Sequence, residues 1–200
     1  METSFKILKE SGYEVLKVTN SSHRFPVHFH KKICIGKIDS GEKYLCINNQ
    51  TIKLTRGDVF IIPPFTFHSC YTKDSPVSYT IFSFDDFNEQ TIHFEIKNEI
   101  VKYLVDFVDE NCANQITLDE ASKKLGYDKF YLSHLFKKIM GIPLHQYIIQ
   151  IRIKKAKEQG KNNELPEIAL QNGFYDESHF IKSFKKYEGI TPKKYYDSLP

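Results

Sequence analysis

The C-terminal half of this 200-residue chain contains a repeat with a period of about 47 residues, which limits that half to two copies of one small helical unit. The stretch LDEASKKLGYDKFYLSHLFKKIMGIP begins at Leu118 and returns as LPEIALQNGFYDESHFIKSFKKYEGITP from Leu165. Leu118 answers to Leu165, Ala121 to Ile168, Gly126 to Gly173, Tyr127 to Phe174, Leu132 to Phe180 and Phe136 to Phe184. Gly141 and Pro143 are matched by Gly189 and Pro192. Each copy carries the parts of a helix-turn-helix. A short helix ends at a glycine able to take positive φ, and an aromatic plugs the turn. An aspartate, Asp128 or Asp176, stands where it can cap a second amphipathic helix.

The two units are expected at about 118–140 and 165–188. In the first, Leu132, Leu135, Phe136 and Ile139 share one face by helical spacing, which sends Lys129, Phe130, Ser133, His134 and Lys137 outward. In the second, Phe180, Phe184 and Tyr187 face in, while Glu177, Ser178, Ile181, Lys182 and Lys185 face out. Phe130 and Ile181 are large apolar groups on otherwise polar faces. Either each packs against a neighbouring loop, or each meets thymine methyls in a major groove. Ser133, His134, Glu177, Ser178 and Lys182 can reach base edges; Lys137, Lys185 and Lys186 suit phosphates. Between the units, Pro143 to about Gln159 reads as one helix with Pro143 in its first turn. It would span about 25 Å and could hold two recognition helices near one DNA turn apart, about 34 Å.

Charge agrees with a polyanionic partner. Net charge is only +3, but 129–161 holds eight basic groups (Lys129, Lys137, Lys138, Arg152, Lys154, Lys155, Lys157, Lys161) against Glu158. Each phosphate neutralised releases condensed counterions.

Before about Phe84 the periodicity is different. Ile33–Asp39, Lys43–Asn48, Val59–Pro63 and Val77–Phe84 alternate with period two, separated by Ser40-Gly41, Asn48-Asn49, Arg56-Gly57-Asp58 and Pro63-Pro64. Short strands at this spacing suggest a small antiparallel sandwich or barrel. From Ile96 the period becomes helical, with Ile96, Ile100, Tyr103, Leu104 and Phe107 as one stripe and an end near Cys112. The expected fold is therefore α+β and multidomain: an all-β domain at 1–84, an acidic linker at 85–95 and an all-α domain at 96–200.

The helical half resembles the AraC/XylS family of bacterial transcription regulators. The resemblance rests on TLDEASKKLGYDKFYLSHLFKKIMG, on Arg152 and Ala156, and on IALQNGFYDESHFIKSFKKYEGITPKKYY. It implies a seven-helix domain that binds double-stranded DNA, with RNA polymerase as a further partner. Two departures stand out. His134 occupies a place where many members carry arginine, and AKEQGKNNEL (156–165) is about two residues short and lacks the usual leucine pair. The N-terminal half resembles the small cupin domain with which many members sense an effector, through PVHFHKKICIGKIDSG and LTRGDVFIIPPFTFH. A small molecule is expected among His28, His30, Cys34, Tyr44, Phe65 and His68. Metal-binding cupins use histidines like His28, His30 and His68, and three histidines could ligate a metal. The acid expected shortly after the HxH is missing, with Cys34 or Ile35 near its place. No metal, no cofactor and no catalytic residue are expected.

Met1–Glu10 lacks the apolar core of a secretory signal and no stretch is long enough to span a membrane, so a cytoplasmic protein is expected. Cys34, Cys46, Cys70 and Cys112 have no metal-site spacing and read as reduced thiols. An exposed sheet edge could support a homodimer through the cupin domain. Two alternatives compete with an effector-controlled regulator: a short member that antagonises a longer homologue, and a metal-dependent cupin enzyme with a DNA-binding tail.

Overall fold

Runs of β-branched and aromatic residues broken by glycine, asparagine and proline build the first part of the chain from strands. The computed structural model describes residues 3–10, 13–84, 96, 98–114, 116–159 and 164–199. Its strands are β1 (Ser4–Glu10), β2 (Tyr13–Ser21), β3 (Phe25–His28), β4 (Ile33–Ser40), β5 (Lys43–Ile47), β6 (Gln50–Leu54), β7 (Val59–Ile62), β8 (His68–Tyr71) and β9 (Val77–Phe84). They form two antiparallel sheets, a five-stranded one ordered β1-β2-β9-β4-β7 and a four-stranded one ordered β3-β8-β5-β6. This is the expected small all-β architecture. Val18, Ile38, Leu45, Val77 and Tyr79 fill the space between the sheets. The β5–β6 hairpin turns on Asn48 and Asn49, both at positive φ, which asparagine tolerates better than most residues.

The helices are α1 (Glu99–Asn111), α2 (Leu118–Leu125), α3 (Lys129–Met140), α4 (Leu144–Glu158), α5 (Leu165–Gln171), α6 (Glu177–Glu188) and α7 (Pro192–Asp197). Asn98 caps α1, its side chain accepting from the Val101 amide at 3.1 Å. The buried face of α1 is Val101, Leu104 and Val108, ending on Cys112. The expected stripe was rotated from this: Ile100, Tyr103 and Phe107 are only half-buried, and Tyr103 stacks on Phe107. In α3 the inward positions are Leu132, Phe136 and Met140, whereas Ile139, expected inward, is exposed. Helix α4 starts one residue later than expected, with Pro143 as its N-cap. Fifteen residues give it a length of about 22 Å.

The chain forms two compact units, one of Met1–Phe94 with Lys185–Pro200 and one of Glu95–Phe184. The expected linker at 85–95 and the centre of the short AKEQGKNNEL stretch lie outside the described residues. All four cysteines are free thiols.

Candidate nucleic-acid interface and ligand pocket

The first helix-turn-helix is locked by local hydrogen bonds. Gly126 ends α2 at φ 71°, its amide donating to the Ser122 carbonyl. The Ser122 hydroxyl donates to the Tyr127 carbonyl at 2.6 Å, and Asp128 caps α3 by accepting from the Phe130 amide at 2.8 Å. With Leu132 and Phe136 buried, α3 presents Lys129, Phe130, His134 and Lys137 to solvent, with Ser133 half-buried among them. Phe130 is 71% exposed. Among the described residues no loop covers it, so the reading in which it packs under a neighbouring loop does not hold. Lys129 pairs with Asp119 at 3.2 Å on the open surface, where such pairs contribute about 0–1 kcal/mol.

The second unit repeats the device with tighter packing. Phe174 plugs the turn against His179 and Phe180, its amide donating to the Ala169 carbonyl. Asp176 caps α6 by accepting from the His179 amide at 2.7 Å. Phe180 and Phe184 are wholly buried, while Ser178, Lys182 and Lys185 are exposed and Glu177 and Ile181 are half-buried. Ile181 is thus less available than Phe130.

Two members of the basic run have another role. Arg152 donates from Nε to the Cys112 carbonyl at 2.7 Å and from Nη2 to the Asn114 carbonyl at 2.9 Å. Lys155 donates to the Asp109 carbonyl at 2.6 Å. Helix α1 has no basic residue in its own last turn, and these cations from α4 satisfy its C-terminal carbonyls. Sequence alone counts them with the DNA-facing charges.

The β sandwich encloses a small cavity lined by Leu16, Phe25, His28, His30, Cys34, Lys43, Phe60, Ile62, His68, Cys70, Tyr79 and Ile81, together with Tyr187 and Glu188 of the same unit. Gly36 makes room for the Phe60 ring, since a Cβ there would stand 2.1 Å from it. Of the expected lining, His28, His30, Cys34 and His68 are brought together; Tyr44 and Phe65 are not. Tyr44 points to the other face of β5 and stacks on Tyr71 at 5.2 Å. Phe65 turns away at φ 57° and stacks on Phe29. The position beside Tyr44 does face in: Lys43 is buried, with Nζ 3.5 Å from the centre of the Tyr79 ring.

The three histidines offer ligand atoms within 4.8 Å of one another. His28 Nδ1 lies 2.8 Å from the Pro26 carbonyl and His68 Nδ1 2.8 Å from that of Thr66. A carbonyl only accepts, so each Nδ1 carries the proton, and the His28 ring has a further hydrogen bond with the backbone of His68. Burial is the main cause that lowers both imidazoles to about 3, and the neighbouring histidine and Lys43 push the same way.

Comparison with known proteins bears on both parts. Residues 121–198 match a helix-turn-helix domain model and residues 12–96 match an AraC-like ligand binding domain model. Over 105 residues, 52% of this chain and 78% of the relative, it is 36% identical to the HTH-type transcriptional activator AarP of Providencia stuartii. Over 83% of the chain it is 25% identical to the uncharacterized HTH-type transcriptional regulator YbfI of Bacillus subtilis, covering 85% of that protein. The crystal structure of ToxT from Vibrio cholerae O395 superimposes with a TM-score of 0.62 at 14% identity, covering 95% of this chain and 99% of that one, a likeness of fold. Two capped helix-turn-helix units joined to a ligand-binding β domain define a DNA-binding transcription regulator. This chain belongs to the AraC family. Its relatives are transcription regulators. Among the described residues, no helix is long and apolar enough to cross a membrane.

Proposed function

We propose that the chain is a one-component regulator in which a small molecule in the sandwich cavity biases the DNA-binding state. Helices α3 and α6 enter major grooves. Ser133, His134, Glu177, Ser178 and Lys182 address base edges, Phe130 and Ile181 thymine methyls, and Lys129, Lys137 and Lys185 phosphates. The observation that carries this is the face of α3, where a 71% exposed phenylalanine stands among polar groups on a helix capped at both ends. The effector acts through its difference in affinity for two arrangements of the chain. RNA polymerase is a further partner, the location is cytoplasmic and no catalysis is assigned. The test is fluorescence anisotropy of full-length protein on duplex DNA across a salt series. About six phosphate contacts give a log–log slope near −5. Absence of duplex binding at low salt overturns the proposal.

A homodimer through the cupin domain is part of the same proposal, and strand register supports a face for it. Leu8, Val15, Phe82, Ile35 and Ile61 stand side by side across all five strands of the larger sheet. They point away from the core, with Leu8 52%, Phe82 40% and Ile61 57% exposed. The adjacent row holds Tyr13, Phe84 and Ile33. At about 4.8 Å per strand the stripe is roughly 19 Å wide, the size of a modest interface. A second copy offers the same stripe under two-fold symmetry.

A further inference from the structure

Each recognition helix is preceded by the same two residues. Tyr127-Asp128 stands before α3 and Tyr175-Asp176 before α6, although the turns leading to them differ by one residue. Counted from the glycine, Tyr127 answers to Phe174; counted back from the capping aspartate, it answers to Tyr175. The extra residue divides two duties in the second turn. Phe174 fills the interior at 3% exposure, and Tyr175 is left 91% exposed. In the first turn one residue stands in both places and takes the outer one: Tyr127 is 43% exposed and stacks its ring on Tyr131. A single exposed aromatic is ordinary on a protein surface. Its return at the same offset from both recognition helices is what needs a cause.

Register supplies one. Tyr127, Phe130, His134 and Lys137 have the i, i+3, i+7, i+10 spacing of one helix face, and all four are exposed. Tyr175, Ser178, Lys182 and Lys185 repeat that spacing and are likewise all exposed. Each tyrosine thus extends the outward row of its recognition helix by one turn, past the N-terminal end whose residues reach base edges in a docked helix-turn-helix. A side chain beyond that end meets the sugar-phosphate wall of the groove rather than its floor. Both mounts are fixed: the Ser122 hydroxyl donates to the Tyr127 carbonyl, and the Phe174 amide beside Tyr175 donates to the Ala169 carbonyl. Carboxylates stand close by. Asp128 and Asp176 accept from the Phe130 and His179 amides, and Glu177 follows half-buried in the second unit. In this setting a lysine is drawn to an acid, as Lys129 is to Asp119, whereas a phenol is neutral and keeps its O–H for an acceptor. Resting on the DNA-binding reading above, we propose that Tyr127 and Tyr175 are a matched pair of phosphate contacts, each hydroxyl donating a hydrogen bond to the DNA backbone beside the groove its helix enters.

The test is fluorescence anisotropy of full-length protein on a mixed-sequence duplex, with Tyr127→Phe, Tyr175→Phe and the double variant beside the parent. Each substitution removes one hydroxyl and keeps the ring, so melting temperatures match the parent. Loss of a hydrogen bond to a charged acceptor weakens binding about tenfold per tyrosine. A neutral donor displaces no condensed cation, so the log–log salt slope stays that of the parent, unlike the change expected for a lysine. Selection from randomised duplexes returns the parent's preferred sequence, because a phosphate carries no base identity. Phenylalanine variants that bind like the parent overturn the proposal and leave the DNA-binding reading intact. So does an altered base preference, or an affinity loss that comes with a lower melting temperature. Tyr175→Ala removes the ring as well; a loss there with none in Tyr175→Phe assigns the contact to the ring and equally overturns the hydroxyl. A parent that binds no duplex at low salt fails the underlying reading itself.

Discussion

Arg152 and Cys112 are joined by a 2.7 Å hydrogen bond, from guanidinium Nε on α4 to the carbonyl oxygen that closes α1. The same carbonyl faces Gly173 in the second helix-turn-helix turn, where a Cβ would stand 2.8 Å from it. The end of α1 is thus a junction between the spacer helix and the second unit. Arg152 is half-buried there and its pKa is lowered by burial.

Arg152→Met should therefore act on stability rather than on DNA contact. Loss of two charge-assisted hydrogen bonds lowers unfolding stability by about 2–3 kcal/mol, read as an earlier urea midpoint. Under conditions where the variant is folded, the salt slope of DNA binding stays that of the parent. A flattened slope would return Arg152 to the phosphate-binding set.

Lys137→Ala is the opposite case. Exposed in the last turn of α3, it should weaken all duplexes alike and flatten the salt slope by about one. Ser133→Ala and His134→Ala should instead change which bases are preferred, by about 1–3 kcal/mol per lost specific contact. Selection from randomised duplexes distinguishes them, and identical sequence-independent losses from all three would contradict the assignment.

Acid should loosen the sandwich. His28 and His68 titrate at about 3 when folded, chiefly because they are buried, against an ordinary value near 6.5. Between those values the unfolded chain binds more protons, so the stability from neutral imidazoles is complete above about pH 6.5 and is lost toward pH 3. Each histidine contributes a slope of at most about 1.4 kcal/mol per pH unit. Urea unfolding from pH 4.5 to 7.5 should show this, and His68→Asn should make the dependence shallower. Equal slopes in parent and variant would show that His68 is not the group responsible.

Much of this was legible in the residues, and the errors have physical causes. The repeat located both helix-turn-helix units because each needs a glycine, an aromatic plug and a capping aspartate at fixed offsets. The strands that became β4, β5, β7 and β9 alternate cleanly. β1, β2, β3, β6 and β8 lie outside the four expected runs; in two of them, SFKILKE and HSCY, lysine, serine or histidine stands at ladder positions. In the pocket the expected lining residue of β5 is Tyr44, whereas the inward residues are Lys43 and Leu45. Period two cannot by itself tell which set is inside when one of the inside residues is a lysine. The capping work of Arg152 and Lys155 depends on two helices about 40 residues apart in sequence meeting, which no local pattern encodes.

Association should depend on the outward stripe of the larger sheet. Ile61→Asp on edge strand β7, combined with Phe82→Asp on β9, puts two charges into that face. Light scattering on the full chain should fall from a concentration-dependent dimer to a monomer, with little loss of stability since both positions are exposed. A dimer that persists would place the interface elsewhere.

Gly126 and Gly173 should respond differently to the same change. Both have positive φ, near 71° and 75°. Around Gly126 an added Cβ meets nothing within 4 Å, so Gly126→Ala carries only the left-handed penalty of about 1–2 kcal/mol. At Gly173 the Cβ would also meet the Ala113 carbonyl at 2.7 Å, which is backbone and cannot swing away. Gly173→Ala should unfold at clearly lower urea than Gly126→Ala; equal midpoints would mean that the α1 terminus yields.

Over many generations this difference would leave a record. The turn around Gly126 could accept asparagine or aspartate and let α3 explore new base preferences, because little behind it has to move. Gly173 is pinned by a third helix, so its half of the molecule would change slowly. New operator specificities would then be expected to arise first in the first half of the repeat, with the second held nearly constant as the anchor on the DNA.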